Sequence, residues 1–148
     1  RTQAHDAREL AGRLESCDAI LVDAPCTGTG VLRRRPDLRW SRTADDLSEL
    51  IPLQREILTS VAPLVRPGGT LVYSTCSVDA AENGENVAWF LEQHPEFLPE
   101  GFYDRLPAPL VDSLTSAQSA SARQGQLQLW PHHNQTDGFF IAKFRRQL

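Results

Sequence analysis

The residue types able to do covalent chemistry gather in two short stretches. One is Asp23-Ala24-Pro25-Cys26-Thr27-Gly28-Thr29-Gly30; the other is Tyr73-Ser74-Thr75-Cys76-Ser77, followed by Glu82-Asn83 and Glu85-Asn86. A thiol becomes a useful nucleophile when its surroundings stabilise the thiolate. The competing reading makes both cysteines small core residues, because free Cys is often buried. Two thiols in equivalent places, one of them beside an acid, favour chemistry over packing. Two other loop chemistries fail on spacing. A phosphatase loop wants Arg at the position where Cys26 is followed by Leu32, and Arg33 comes one later. A dinucleotide loop wants Gly where Arg33 stands. No C-x-x-C occurs, which leaves a thioredoxin-like site and a zinc ribbon unsupported. His132 and His133 are adjacent, so their side chains diverge and no metal site is expected.

Holding two such loops together requires particular elements. Ala19-Ile20-Leu21-Val22-Asp23 is an apolar run ending in an acid and reads as a buried parallel strand. Thr70 to Thr75 reads as a second, preceded by a turn at Arg66-Pro67-Gly68-Gly69. Between them Leu47, Leu50, Ile51, Ile57, Leu58, Val61, Leu64 and Val65 recur at helical spacing. Thr43 is placed to cap this helix, with Asp45 and Asp46 favourable in its first turn. Pro52 is expected to divide it in two, because its ring clashes with the preceding turn. Strand, helix, strand implies a right-handed crossover and a parallel pair. Both cysteines then follow strand ends, where sheets of this class bind ligands.

A further helix is expected from near Ala81 to Gln93, with Val87, Phe90 and Leu91 facing the sheet and Pro95 ending it. Residues 107–125, rich in Ser, Ala, Gln and Pro, read as a long, poorly ordered loop. Leu127 to Trp130 and Gly138 to Phe144 read as strands, with a turn signal at Asp137-Gly138. The last run is apolar on both faces until Lys143, which suits an interior strand. The fold class is therefore α/β, one domain over residues 1–148, with a mixed sheet ending in an antiparallel hairpin.

With 148 residues, 41% hydrophobic and 23% charged, the chain has the make-up of an ordinary globular domain. No apolar run approaches bilayer length and no leader pattern opens the chain, so a cytoplasmic protein with reduced thiols is expected. A net charge of −4 excludes a polybasic binder, so any nucleic-acid contact must be local. Arg33, Arg34, Arg35, Arg39 and Arg42, with Trp40 among them, form such a patch beside the Cys26 loop. They read either as a solvated face or as a surface for nucleic-acid phosphates.

The run from Asp23 through Val31, then Arg34-Arg35-Pro36-Asp37-Leu38-Arg39-Trp40 and Gln54-Arg55-Glu56-Ile57-Leu58, resembles the Sun/Fmu group of 5-methylcytosine RNA methyltransferases. Pro67 through Val78 with Glu82-Asn83, and the ending Asp137-Gly138-Phe139-Phe140-Ile141-Ala142, continue the match. It covers nearly the whole chain outside the 107–125 stretch. The bacterial enzymes acting on 16S ribosomal RNA are the type it is most similar to.

The resemblance implies methyl transfer from S-adenosylmethionine to C5 of cytosine through a covalent cysteine adduct. It implies Cys76 as the nucleophile and Cys26 as the residue assisting product release. The reverse assignment, with Cys26 as nucleophile, would be that of the DNA enzymes. Asp23 is implied to meet the cytosine edge or the cofactor, Pro25 to line the cofactor, and Asp6 to lie near its adenosine part. The family's Gly-rich cofactor loop and ribose-binding acid, which follow the first two strands, have no match here. The resemblance therefore implies the C-terminal part of a Rossmann-like methyltransferase domain with its first strands missing. Such a fragment is expected to bind the methyl donor poorly and to self-associate through the exposed edge of the Asp23 strand. The competing function is a non-catalytic RNA-binding remnant using the arginine patch.

Overall fold

A computed structural model describes residues 2–10 and 12–148. Five strands form one mixed sheet: β1 (Cys17–Asp23), β2 (Val65–Thr75), β3 (Phe97–Pro99), β4 (Gln126–Leu129) and β5 (Phe139–Arg146). The order is β1-β2-β5-β3, with β4 also pairing β5. β1 and β2 are parallel, and β5 runs antiparallel to β2, β3 and β4. The interior placement of β5 and the antiparallel hairpin of β4 with β5 agree with the sequence expectation.

The β1–β2 crossover carries α1 (Leu38–Ser41) and α2 (Ala44–Val61). Thr43 caps α2, and the Asp46 carboxylate accepts from the Thr43 backbone N–H and hydroxyl. Contrary to expectation, α2 is a single helix and Pro52 lies inside it. Pro52 is exposed, so the lost N–H bond faces water. The buried face of Gln54, Ile57, Leu58 and Val61 holds the part of α2 that follows Pro52 on the sheet.

The expected turn at residues 66–69 is also different. β2 begins at Val65, and the register jumps from Cys17↔Val65 to Ala19↔Thr70. Residues 66–69 are thus a bulge opposite Asp18, with Gly68 at φ 74°.

Helix α3 (Gly84–Gln93) begins slightly later than expected and buries Val87 and Phe90, while Leu91 is half-buried. The Phe90 ring centroid lies 5.2 Å from that of Phe97 and 5.0 Å from that of Phe144. Full burial of one such side chain contributes about 2 kcal/mol.

The 107–125 stretch is not a structureless loop. It folds into α4 (Ala108–Val111) and α5 (Ser116–Arg123). Thr115 and Gln118 form a reciprocal capping box that starts α5. The Gln118 amide donates to Gln128 O and Asn134 Oδ1, and Ala122 is fully buried. Low-complexity composition hid a capping signal. A last short helix, α6 (Pro131–Asn134), joins β4 to β5.

Alternation along β5 divides two cores. Phe140, Ala142 and Phe144 join the main core with Val65, Leu71, Tyr73 and Phe90. Phe139 and Ile141 pack on a smaller cluster of Phe102, Ala122, Leu127 and Leu129. Among the described residues β1 pairs only with β2, so its other edge is open and Leu21 is 67% exposed.

Candidate active site at two strand ends

The parallel register sets Asp23 opposite Ser74, so the loops leaving β1 and β2 start side by side. The Cys26 and Cys76 sulfurs lie 3.2 Å apart, and both cysteines are half-buried. By geometry either thiol can donate in this contact, and a proton on Cys26 serves Cys76 as a thiolate. That bond lowers the Cys76 pKa to about 7, against burial and against repulsion from Asp23 and Glu82. The same bond, with burial, pushes the Cys26 thiol far up. Of the two, Cys76 is the readier thiolate. A helix N-terminus is not the first source of this lowering: α3 starts only at Gly84, and Cys26 supplies the donor.

Three loops meet at Gly30. Its N–H donates to Cys76 O at 2.9 Å, and its carbonyl accepts from Gly138 N–H at 2.8 Å. A Cβ at Gly30 would sit 2.7 Å from Cys76 O and closer still to Gly138 O, so no side chain fits. Gly28 adopts φ 74°, the left-handed region that favours glycine. Gly30 thus serves close backbone approach and Gly28 a left-handed turn, and Asp137-Gly138 is part of the site's wall.

Beneath the sulfurs lies a buried polar network. The Glu82 carboxylate accepts from Thr27 N–H (2.9 Å), Thr27 hydroxyl (2.6 Å) and Gln54 Nε2 (2.9 Å). Gln54 Nε2 also donates to Pro25 O at 2.8 Å. Asn83 donates to Ser77 O and accepts from the Thr75 hydroxyl. Tyr73 donates to Glu82 O, and Asn86 donates to Gln54 Oε1. Burial of the Tyr73 hydroxyl raises its pKa well above the ordinary range. Sequence reasoning gave Gln54, Glu82, Asn83 and Asn86 no role. Gln54 and Glu82-Asn83 stand in the sequence only as motif positions of the resemblance, and Asn86 only as a polar residue where a strand end runs into a helix.

The remaining candidates fall in different places. Asp23 is exposed beside the thiols and accepts from the Ser74 hydroxyl at 2.9 Å. Pro25 is exposed next to it. Asp6 caps a turn on the α2 side, and Arg8 engages it and holds its pKa at about 2. Among the described residues Asp6 has no hydrogen bond to either cysteine loop. Arg42 turns inward: its Nε donates to Thr27 O at 2.9 Å and it pairs with Asp46. Arg33 and Arg34 both grip Asp137, tying the Cys26 loop to the β4–β5 connection. Arg35 pairs with Asp37 at the surface. Arg39 is exposed, and Trp40 is 88% exposed.

Residues 2–145 match the family model described as 16S rRNA methyltransferase RsmB/F. The chain belongs to the RsmB/F (Sun/Fmu) family of 16S rRNA 5-methylcytosine methyltransferases. It is 43% identical over 145 residues to a probable ribosomal RNA small subunit methyltransferase B of Bacillus subtilis, covering 96% of this chain and 31% of that protein. A probable methyltransferase B of Synechocystis is 43% identical over 133 residues, covering 90% of this chain and 28% of its own. Among solved structures, NSun6 from Pyrococcus horikoshii with SFG superposes at a TM-score of 0.74 and 32% identity, covering 96% of this chain and 33% of that one. PH0851 gives 0.79 and 40%, covering 96% and 30%. The chain thus spans about a third or less of the length of these relatives. The RsmB/F membership and the mixed sheet agree with the sequence expectation.

Proposed function

We propose that this chain carries the thiol machinery of methyl transfer to C5 of cytosine in small-subunit ribosomal RNA. The observation that carries the reading is the pair of sulfurs 3.2 Å apart at the ends of two neighbouring parallel strands. Cytosine C5 is a poor nucleophile. Addition of the Cys76 thiolate to C6 turns C5 into an enamine-like carbon that can take a methyl group. Water then takes the C5 proton, the C5–H electrons re-form the C5=C6 double bond, and the C6–S bond breaks so that Cys76 leaves as a thiolate. Cys26, still protonated, assists that release. S-adenosylmethionine supplies the electrophilic methyl group when bound.

Asp23 and Pro25 suit the edge of a donor site, since Asp23 presents an exposed acceptor beside the thiols. Asp6 would serve there only by exchanging Arg8. We read the sheet as the C-terminal part of a Rossmann-like domain. Exposed Arg35, Arg39 and Trp40 offer charge and a stacking face to RNA, with Arg33 and Arg34 held beside them. Arg42 serves by supporting the Cys26 loop. Thiols kept free fit a reducing, cytoplasmic setting. We also propose that isolated copies self-associate through the open β1 edge.

The test is transfer of labelled methyl from S-adenosylmethionine to small-subunit ribosomal RNA. It compares this chain with one extended to its relatives' length. Label at cytosine C5 is expected from the extended chain only, because the family's main cofactor loop has no match in this chain; Cys76→Ala abolishes it, while Cys26→Ala accumulates a covalent RNA–protein adduct. RNA binding without label from either chain would instead favour a non-catalytic RNA-binding module. Activity that survives Cys76→Ala but not Cys26→Ala would favour the reverse thiol assignment.

A further inference from the structure

Glu82 is fully buried, yet its three donors are all uncharged. Burying a carboxylate without a cation is costly, and hydrogen bonds must offset the lost hydration. A core that needed only packing would hold an apolar residue here. The location explains the choice. Glu82 follows the Cys76 loop, and two of its three bonds run across to Thr27, the neighbour of Cys26. The third runs to Gln54 of α2, whose same amide nitrogen holds Pro25 O on the other side of Cys26. The backbone around Cys26 is thus gripped before and after the sulfur-bearing residue, and both grips converge on one carboxylate. Thr27 cannot shift without breaking two bonds to a group that has no water to turn to.

We propose that Glu82 is a positioning residue: its carboxylate clamps the Cys26 loop onto the Cys76 loop and so keeps the two sulfurs in hydrogen-bonding contact. Its relevance to methyl transfer rests on the function proposed above, but the clamp is a statement about the thiols. It is tested on thiol chemistry, which gives an answer whether or not RNA is methylated.

Two quantities report the sulfur contact in this chain. One is the rate of Cys26–Cys76 disulfide closure under a thiol oxidant such as diamide, measured by mass spectrometry. The other is the pH at which Cys76 alkylation reaches half its maximal rate. With Glu82→Ala, closure slows at least tenfold and the half-point rises toward that of an ordinary thiol, near about 8.5, because losing the Cys26 contact outweighs losing the weaker repulsion from Glu82. Glu82→Gln keeps an oxygen for Thr27 N–H and Gln54, and it restores fast closure and a low half-point. Thr27→Val removes the hydroxyl arm with little change of volume, and closure slows about threefold. A folded Glu82→Ala protein with wild-type closure and half-point overturns the clamp. So does a Glu82→Gln protein as slow as Glu82→Ala. Should Glu82→Ala fail to fold, Thr27→Val decides, and unchanged closure there overturns the proposal.

Discussion

A thiolate at neutral pH has to be stabilised by something, and here the donor is another thiol. A hydrogen bond from the Cys26 thiol, which keeps its proton, brings Cys76 down to about 7. The sign follows directly. Below about 7 Cys76 is protonated and slow; above it the thiolate forms and reactivity reaches its plateau. Replacing Cys26 by Ala removes the largest lowering influence, so the half-point moves up. We predict that iodoacetamide labelling of Cys76 at neutral pH then falls roughly tenfold, as expected for a return to an ordinary thiol. Peptide mass spectrometry checks this, and a half-point that stays put would remove Cys26 as the cause. Both sulfurs were legible as candidates from their surrounding residues. Their mutual contact was not, because it depends on a parallel register that brings residues 50 positions apart within 3.2 Å.

Elements place these residues through specific local chemistry. The Thr115–Gln118 capping box starts α5, and α5 in turn holds Gln128 and Asn134 through Gln118. Gln128 donates to Ser77 O in the Cys76 loop, so a helix far from the sulfurs steadies the loop that bears one. Thr115→Ala leaves the Gln118 N–H without its cap and is predicted to cost about 1 kcal/mol. Urea unfolding with an unchanged slope would show it. Composition hid this helix, since Ser, Ala and Gln also mark disorder. The Pro52 misreading has a different source. The proline penalty is local, and because Pro52 sits on an exposed face the carbonyl it leaves unbonded can turn to water without breaking the helix.

At the scale of the whole molecule, the open edge of β1 is the feature with consequences. Its outer N–H and C=O groups lack strand partners among the described residues, and Leu21 and Ala19 are exposed there. Unpaired edges of this kind template pairing with another chain. We predict a concentration-dependent rise in mass by light scattering at micromolar concentrations. Leu21→Lys, which puts a charge on the strand's exposed face, is expected to return the wild-type chain to a monomer. A wild-type chain that is monomeric throughout would remove the edge as a docking surface.

The sequence by itself determined the alternation of elements, the two cysteine loops and their position after strands, because apolar periodicity and Gly-Pro turns are local signals. It also carried the RsmB/F motifs, whose residue order survives without any coordinates. Only the tertiary structure decided which polar residues support the thiols and which arginines face solvent. Gln54 and Glu82 lie 28 positions apart, and Arg33 and Asp137 lie 104 apart. Such pairings depend on register and crossover, which bring distant polar groups into one buried space where each must find a partner.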